Sequence, residues 1–120
     1  MVIKKILIVD DSSTARHFLL DVLVKAGFEV IIAESGEEAI LKAKAEMPDM
    51  ILMDVIMPGM NGFQATRAIT KDEITKNIPV LILTSKDMET DRVWGLRQGA
   101  VAFLNKPIEP AELLAAIAAL

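Results

Sequence analysis

A chain of 120 residues with 52% hydrophobic side chains is the length of one domain and has enough apolar material for a real core, which argues against disorder. It contains no cysteine, so disulfides and thiolate metal sites are excluded, and its 17 acidic against 13 basic side chains, net −4, argue against broad electrostatic binding to nucleic acid. No segment reaches the roughly 20 apolar residues that span a bilayer, and the start runs straight into a strand pattern with no signal peptide, so a cytoplasmic protein without membrane contact is expected.

Residues 3–9 form the first apolar run, which gives out at Asp10 and Asp11. Ser12 or Ser13 can cap a helix that continues to about Lys25, with Phe18, Leu19, Val22 and Leu23 on one face and Gly27 as its stop. Residues 29–33 read as a half-alternating strand. Ser35 caps the next helix, with Glu38 three residues on as its capping-box partner. That helix buries Ala39, Ile40 and Ala43 and ends before Pro48. Residues 49–54 are nearly continuous in apolar character, as expected of a strand covered on both faces. Pro58-Gly59 and Asn61-Gly62 punctuate a loop, and a helix follows over 63–72. A fourth strand spans 79–83 with Thr84 at its end, and a helix spans 88–98 with Gly99 as its stop. A fifth strand covers 101–104, with Lys106-Pro107 at its end, and Pro110 opens a last helix to Leu120.

This strand–helix unit repeated five times predicts an α/β domain over residues 1–120, a parallel sheet with helices on both faces. Periodicity does not give the strand order. For five strands the doubly wound, flavodoxin-like order is 2-1-3-4-5, with the ligand crevice outside the carboxyl ends of the strands. In that order Asp10, Asp11 and Asp54 meet.

Asp10-Asp11 alone is what a helix-capping turn also looks like. With Asp54 added, three acids in one pocket repel and raise one another's pKa unless a cation neutralises them. A hard divalent ion fits, and Mg²⁺ takes one or two carboxylates while sharing phosphate oxygens. No His or Cys is placed to favour zinc. Asp54 is the candidate nucleophile, because a carboxylate can attack phosphorus and hold an acyl phosphate. Thr84 offers a hydroxyl, which sequence alone does not separate from that of Ser85. Lys106 offers an ammonium that can neutralise phosphate charge. The Lys106-Pro107 bond is a candidate for the cis form. Ile56 and Lys86 flank the site. His17 reads as a surface residue. Trp94, the only tryptophan, reads as partly exposed, by contact function or by plain packing.

Four segments then match a family in order: 7–12 (LIVDDS), 53–62 (MDVIMPGMNG), 83–86 (LTSK) and 103–107 (FLNKP). Over essentially its full length the chain resembles the receiver domain of two-component response regulators. The resemblance implies that Asp54 accepts a phosphoryl group from the phosphohistidine of a CheA-like sensor histidine kinase. It implies Mg²⁺ at Asp10, Asp11, Asp54 and the main-chain carbonyl of Ile56. Thr84 and Phe103 would form a switch and Lys106 would bind phosphate. The face made by the helix near Trp94, the fifth strand and the last helix would change shape for an effector. Residues 64–67 and 86–95 are similar to regulators of type IV pilus (twitching) chemosensory systems, the PilH-like group. With no output domain in the sequence, such a receiver would dock to a partner or drain phosphate from a shared kinase. The rival readings are a Mg²⁺-dependent phosphohydrolase, a flavin carrier on the same fold, and a receiver that binds partners without phosphorylation.

Overall fold

The computed structural model describes residues 2–85 and 89–120, and the side chains of 89–92 are outside the description. Lys86, read as flanking the site, and Met88, read as a helix start, lie outside the described residues. Five strands, β1 (Lys5–Val9), β2 (Glu29–Ala33), β3 (Met50–Asp54), β4 (Val80–Thr84) and β5 (Ala102–Asn105), alternate with five helices. These are α1 (Ser13–Lys25), α2 (Gly36–Glu46), α3 (Gly62–Lys71), α4 (Glu89–Arg97) and α5 (Pro110–Ala118). All neighbouring strands pair in parallel in the order β2-β1-β3-β4-β5. The flavodoxin-like expectation is therefore met.

The sheet pleat divides the core in two. Leu7, Val9, Ile51, Met53, Val80 and Ile82 point to one face, against Ala39 and Ala43 of α2 and Ala65 and Ile69 of α3. Ile6, Ile8, Met50, Leu52, Leu81 and Leu83 point to the other, against Leu19 and Leu23 of α1 and Leu113 and Ile117 of α5. Neighbours along each strand thus serve opposite faces, which is why β3 and β4 are buried at all five positions. One face of α1 departs from expectation. Leu19 and Leu23 are fully buried, but Phe18 is 43% exposed. It borders a groove of about 430 Å³ shared with Asp10, Leu83, Lys106 and Pro107.

The helix starts follow their caps. Ser12 Oγ accepts from the Ala15 N–H at the head of α1, and Ser35 Oγ accepts from the Glu38 N–H at the head of α2. The expected box at α2 is not reciprocal. Glu38 Oε1 reaches the N–H of Glu34, one residue before the cap. The reciprocal box is at α3, where Asn61 Oδ1 accepts from the Gln64 N–H and Gln64 Oε1 accepts from the Asn61 N–H, each at 2.9 Å. Asn61-Gly62, read as loop punctuation, is thus the start of the helix.

Candidate functional site at the carboxyl end of the sheet

Asp10 follows the last residue of β1, and Asp54 is the last residue of β3, next to it in the sheet. Because β1 and β3 are parallel neighbours, their carboxyl ends bring these acids together. Carboxylate oxygens of Asp10, Asp11 and Asp54 all lie within 4.8 Å of one another. Asp10 and Asp54 are 1% and 6% exposed, whereas Asp11 is open to solvent. Lys106 enters from beyond β5, with Nζ 2.7 Å from Asp54 Oδ1 and 3.3 Å from Asp10 Oδ2. The Lys106–Pro107 bond is cis.

Burial pushes the Asp54 carboxyl above its usual range. The hydrogen bond from Lys106 pulls it down, and the charges of Asp10 and Asp11 push it up again. Burial lowers Lys106, but its contacts with Asp54 and Asp10 outweigh that, so its pKa is raised and the ammonium stays charged. Among the described residues one ammonium faces three acids, which leaves the pocket short of positive charge. The donor set suits a hard cation, since every gathered side-chain donor is a carboxylate oxygen.

The same pleat that splits the core sorts the remaining residues. Asp54 continues the alternation of Met50 and Leu52, on the α1 and α5 side. Thr84 and Phe103 continue that of Ile82, on the α4 side. Thr84 is 4% exposed at the end of β4, one residue past Leu83, the register partner of Asp54. Its carbonyl accepts from the Lys106 N–H at 2.7 Å. Phe103 is half-buried, and its ring rests on Gly95 of α4. A Cβ added there would lie 2.4 Å from Phe103 Cζ. Ile56 stands in the loop after β3 with its side chain 65% exposed, so only its main chain can serve the pocket. His17 is exposed on α1, as expected. Trp94 is 54% exposed, beside Phe63, Gln64 and Arg67 of α3.

Two residues that touch the main chain of the acids carry little signal in the sequence. Gly62 packs against the main chain of Asp54, and a Cβ there would sit 2.0 Å from the Asp54 carbonyl oxygen. The Asn-Gly pair carried that signal but was read as a turn. Arg16 reaches back from α1 to the Asp10 carbonyl at 2.7 Å. Nothing in the periodicity distinguishes it from a surface arginine.

Residues 6–118 match the response regulator receiver domain family. Over 113 residues the chain is 53% identical to the protein PilH of Pseudomonas aeruginosa, covering 94% of this chain and 93% of that one. Among solved structures, the chemotaxis protein CheY4 of Vibrio cholerae superposes with a TM-score of 0.92 at 36% identity, over 98% of each chain. The receiver domain of a Pseudomonas aeruginosa sensor histidine kinase superposes with a TM-score of 0.88 at 30% identity, over 97% of this chain and 95% of that one. That structure has a magnesium ion coordinated in its active-site cleft. Sequence match and fold agree over nearly the whole length, and the chain belongs to the response regulator receiver domain family.

Proposed function

We propose that this receiver takes a phosphoryl group onto Asp54 from the phosphohistidine of a CheA-like kinase and signals through α4, β5 and α5. The observation that carries the reading is the ammonium of Lys106 bridging Asp54 and Asp10, with Asp11 open beside them. Asp54 attacks phosphorus, the bond from phosphorus to imidazole nitrogen breaks, and the imidazole leaves with a proton from solvent. Asp10, Asp11, Asp54 and the Ile56 carbonyl would hold Mg²⁺, which neutralises charge on the transferring group. Lys106 needs little movement to follow charge from the Asp54 carboxylate to the new phosphoryl oxygens. The protein is a signalling phosphoacceptor; its chemistry is confined to its own phosphorylation and slow autodephosphorylation.

Phosphorylation adds about −1.5 to −2 charge and three strong acceptors. Thr84 moves toward them from β4, and Phe103 turns into the space it leaves. The ring then lifts from Gly95, and α4 and β5 shift as a biased two-state element. The surface there suits protein docking: Val93, Trp94, Leu96 and Val101 are between 39% and 58% exposed. Identity with PilH and the similarity of residues 64–67 and 86–95 favour a chemosensory phosphorelay that controls type IV pilus twitching motility, in the cytoplasm.

Transfer tests this reading. A CheA-like kinase carrying labelled phosphohistidine should pass label to the wild-type chain and not to Asp54→Asn. Label that stays on the kinase, or that passes equally to the variant, would contradict it.

A further inference from the structure

The acid pair Asp10-Asp11 is joined by one planar peptide, so the orientation of that peptide helps set where both carboxylates point. Three polar atoms of Asp10 beside it have partners. The Asp10 N–H donates to the Ala33 carbonyl of β2 at 3.2 Å, Asp10 Oδ1 accepts from the Ser12 N–H at 2.9 Å, and Asp10 Oδ2 faces Lys106. Among the described residues the carbonyl of Asp10 is held by a side chain alone. Arg16 Nη1 donates to it at 2.7 Å, while Nη2 lies 3.6 Å from Glu34 Oε1 at the end of β2. The Arg16 side chain is only 12% exposed. The Glu34 main chain is held, since its N–H donates to Glu38 Oε1 of α2, while its carboxylate is 68% exposed. Among the described residues the Asp11 carboxylate has no hydrogen bond or ion pair, so its aim depends on the backbone beneath it.

We infer that Arg16 is a positioning residue for the cation pocket: its fork clamps the Asp10–Asp11 peptide against the end of β2 and so presents the Asp11 carboxylate to the metal. The inference rests on the Mg²⁺ reading proposed above. The fork geometry is what matters, because a guanidinium can serve the carbonyl and Glu34 together, whereas an ammonium is a single point donor. A purely electrostatic role predicts the opposite outcome. A permanent cation beside a cation site weakens metal binding, so removing it would tighten binding.

The experiment is a Mg²⁺ titration of the metal-free protein, followed by amide NMR shifts of Asp11 and Ser12, in wild type, Arg16→Gln and Arg16→Lys. Both variants should lose about tenfold in Mg²⁺ affinity, the low end of what outer partners of metal ligands contribute. Their Asp11 and Ser12 shifts should differ from wild type before metal is added, with the amides of β3 and β4 unmoved. Labelling by a small phosphodonor should recover when Mg²⁺ is raised to saturation, because the defect lies in affinity. Arg16→Lys keeps the charge and carries the test if Arg16→Gln does not fold. Unchanged affinity in the variants, or tighter binding in Arg16→Gln, would overturn the inference. A wild-type protein that binds no Mg²⁺ would instead overturn the metal reading beneath it.

Discussion

Asp54 sits where its own charge is unfavourable. A carboxyl held above its usual range binds its proton more tightly in the folded state than in the unfolded one. Its ionised form therefore costs stability as pH rises from the unfolded pKa through that raised value. Without Mg²⁺ at pH 7, Asp54→Asn should melt about 1–3 °C higher than wild type, and added Mg²⁺ should narrow the gap. A lower melting temperature, or a gap that ignores Mg²⁺, would count against an anion-crowded pocket. Gly62 carries the opposite expectation. Its Cβ would meet backbone at 2.0 Å, which no side-chain rotation relieves. Gly62→Ala should cost about 3 kcal/mol in a denaturant melt, the upper end of overpacking, and slow labelling of Asp54. A near-neutral variant would show that α3 can move off Asp54 freely.

At this scale the sequence announced residues whose type conflicts with their place. An acid at the end of an apolar run is conspicuous, so Asp10, Asp11 and Asp54 were legible. Lys106 was legible only in company, because a lone lysine after a strand is ordinary. Arg16 and Gly62 were not legible as neighbours of the site, because each touches a main-chain carbonyl and has no pattern of its own.

Between elements, the important division is the pleat. Successive positions on β3, β4 and β5 send Asp54 toward α1 and α5 but Thr84 and Phe103 toward α4. In the proposed mechanism, chemistry on one face of the sheet is read on the other. Thr84→Ala should still take phosphate but should lose most of the change in Trp94 emission that phosphorylation brings in wild type. Trp94 is the only tryptophan, so its emission reports α4 directly. An undiminished change would remove Thr84 from the switch. The elements themselves were legible from alternating apolar runs and stop signals, with boundaries shifted by a residue or a few. Two local errors have physical causes. Glu38 accepts from the N–H of Glu34, one residue before the donor the box pattern assumes. Phe18 fits the helical stripe, but its position borders an open groove beside Asp10 instead of the core.

For the whole molecule, the two cores depend on β1 and β3 staying in register as neighbours. Asp49 helps hold that register from the opposite end of the sheet. Its Oδ2 accepts from the N–H groups of Lys4 and Lys5, each at 2.8 Å, at the start of β1. Those bonds hold its carboxyl below the usual range. A depressed carboxyl contributes stability that is full above its unfolded pKa and is lost as pH falls through its folded one. Asp49→Asn should cost about 1–2 kcal/mol near neutral pH, the worth of a charge-assisted hydrogen bond at a half-open site. The difference from wild type should shrink as pH falls below about 4, where the carboxyl of the unfolded chain protonates. A pH-independent difference would assign the loss to packing. Fold class could be read from the alternation of strands and helices, since that pattern implies a parallel sheet. Strand order could not, because periodicity does not record which strand lies beside which. The order came from the doubly wound pattern usual for five such strands, and the register of β1 with β3 agrees with it.

The central claim is that Asp54 is a Mg²⁺-dependent phosphoacceptor. The most direct measurement is intact mass after incubation with phosphoramidate and Mg²⁺, with Asp54→Asn and a metal-free sample as controls. The predicted result is a gain of one phosphoryl group in wild type with Mg²⁺ and none in either control. No gain in the folded wild-type protein, or an equal gain in Asp54→Asn, would contradict the claim.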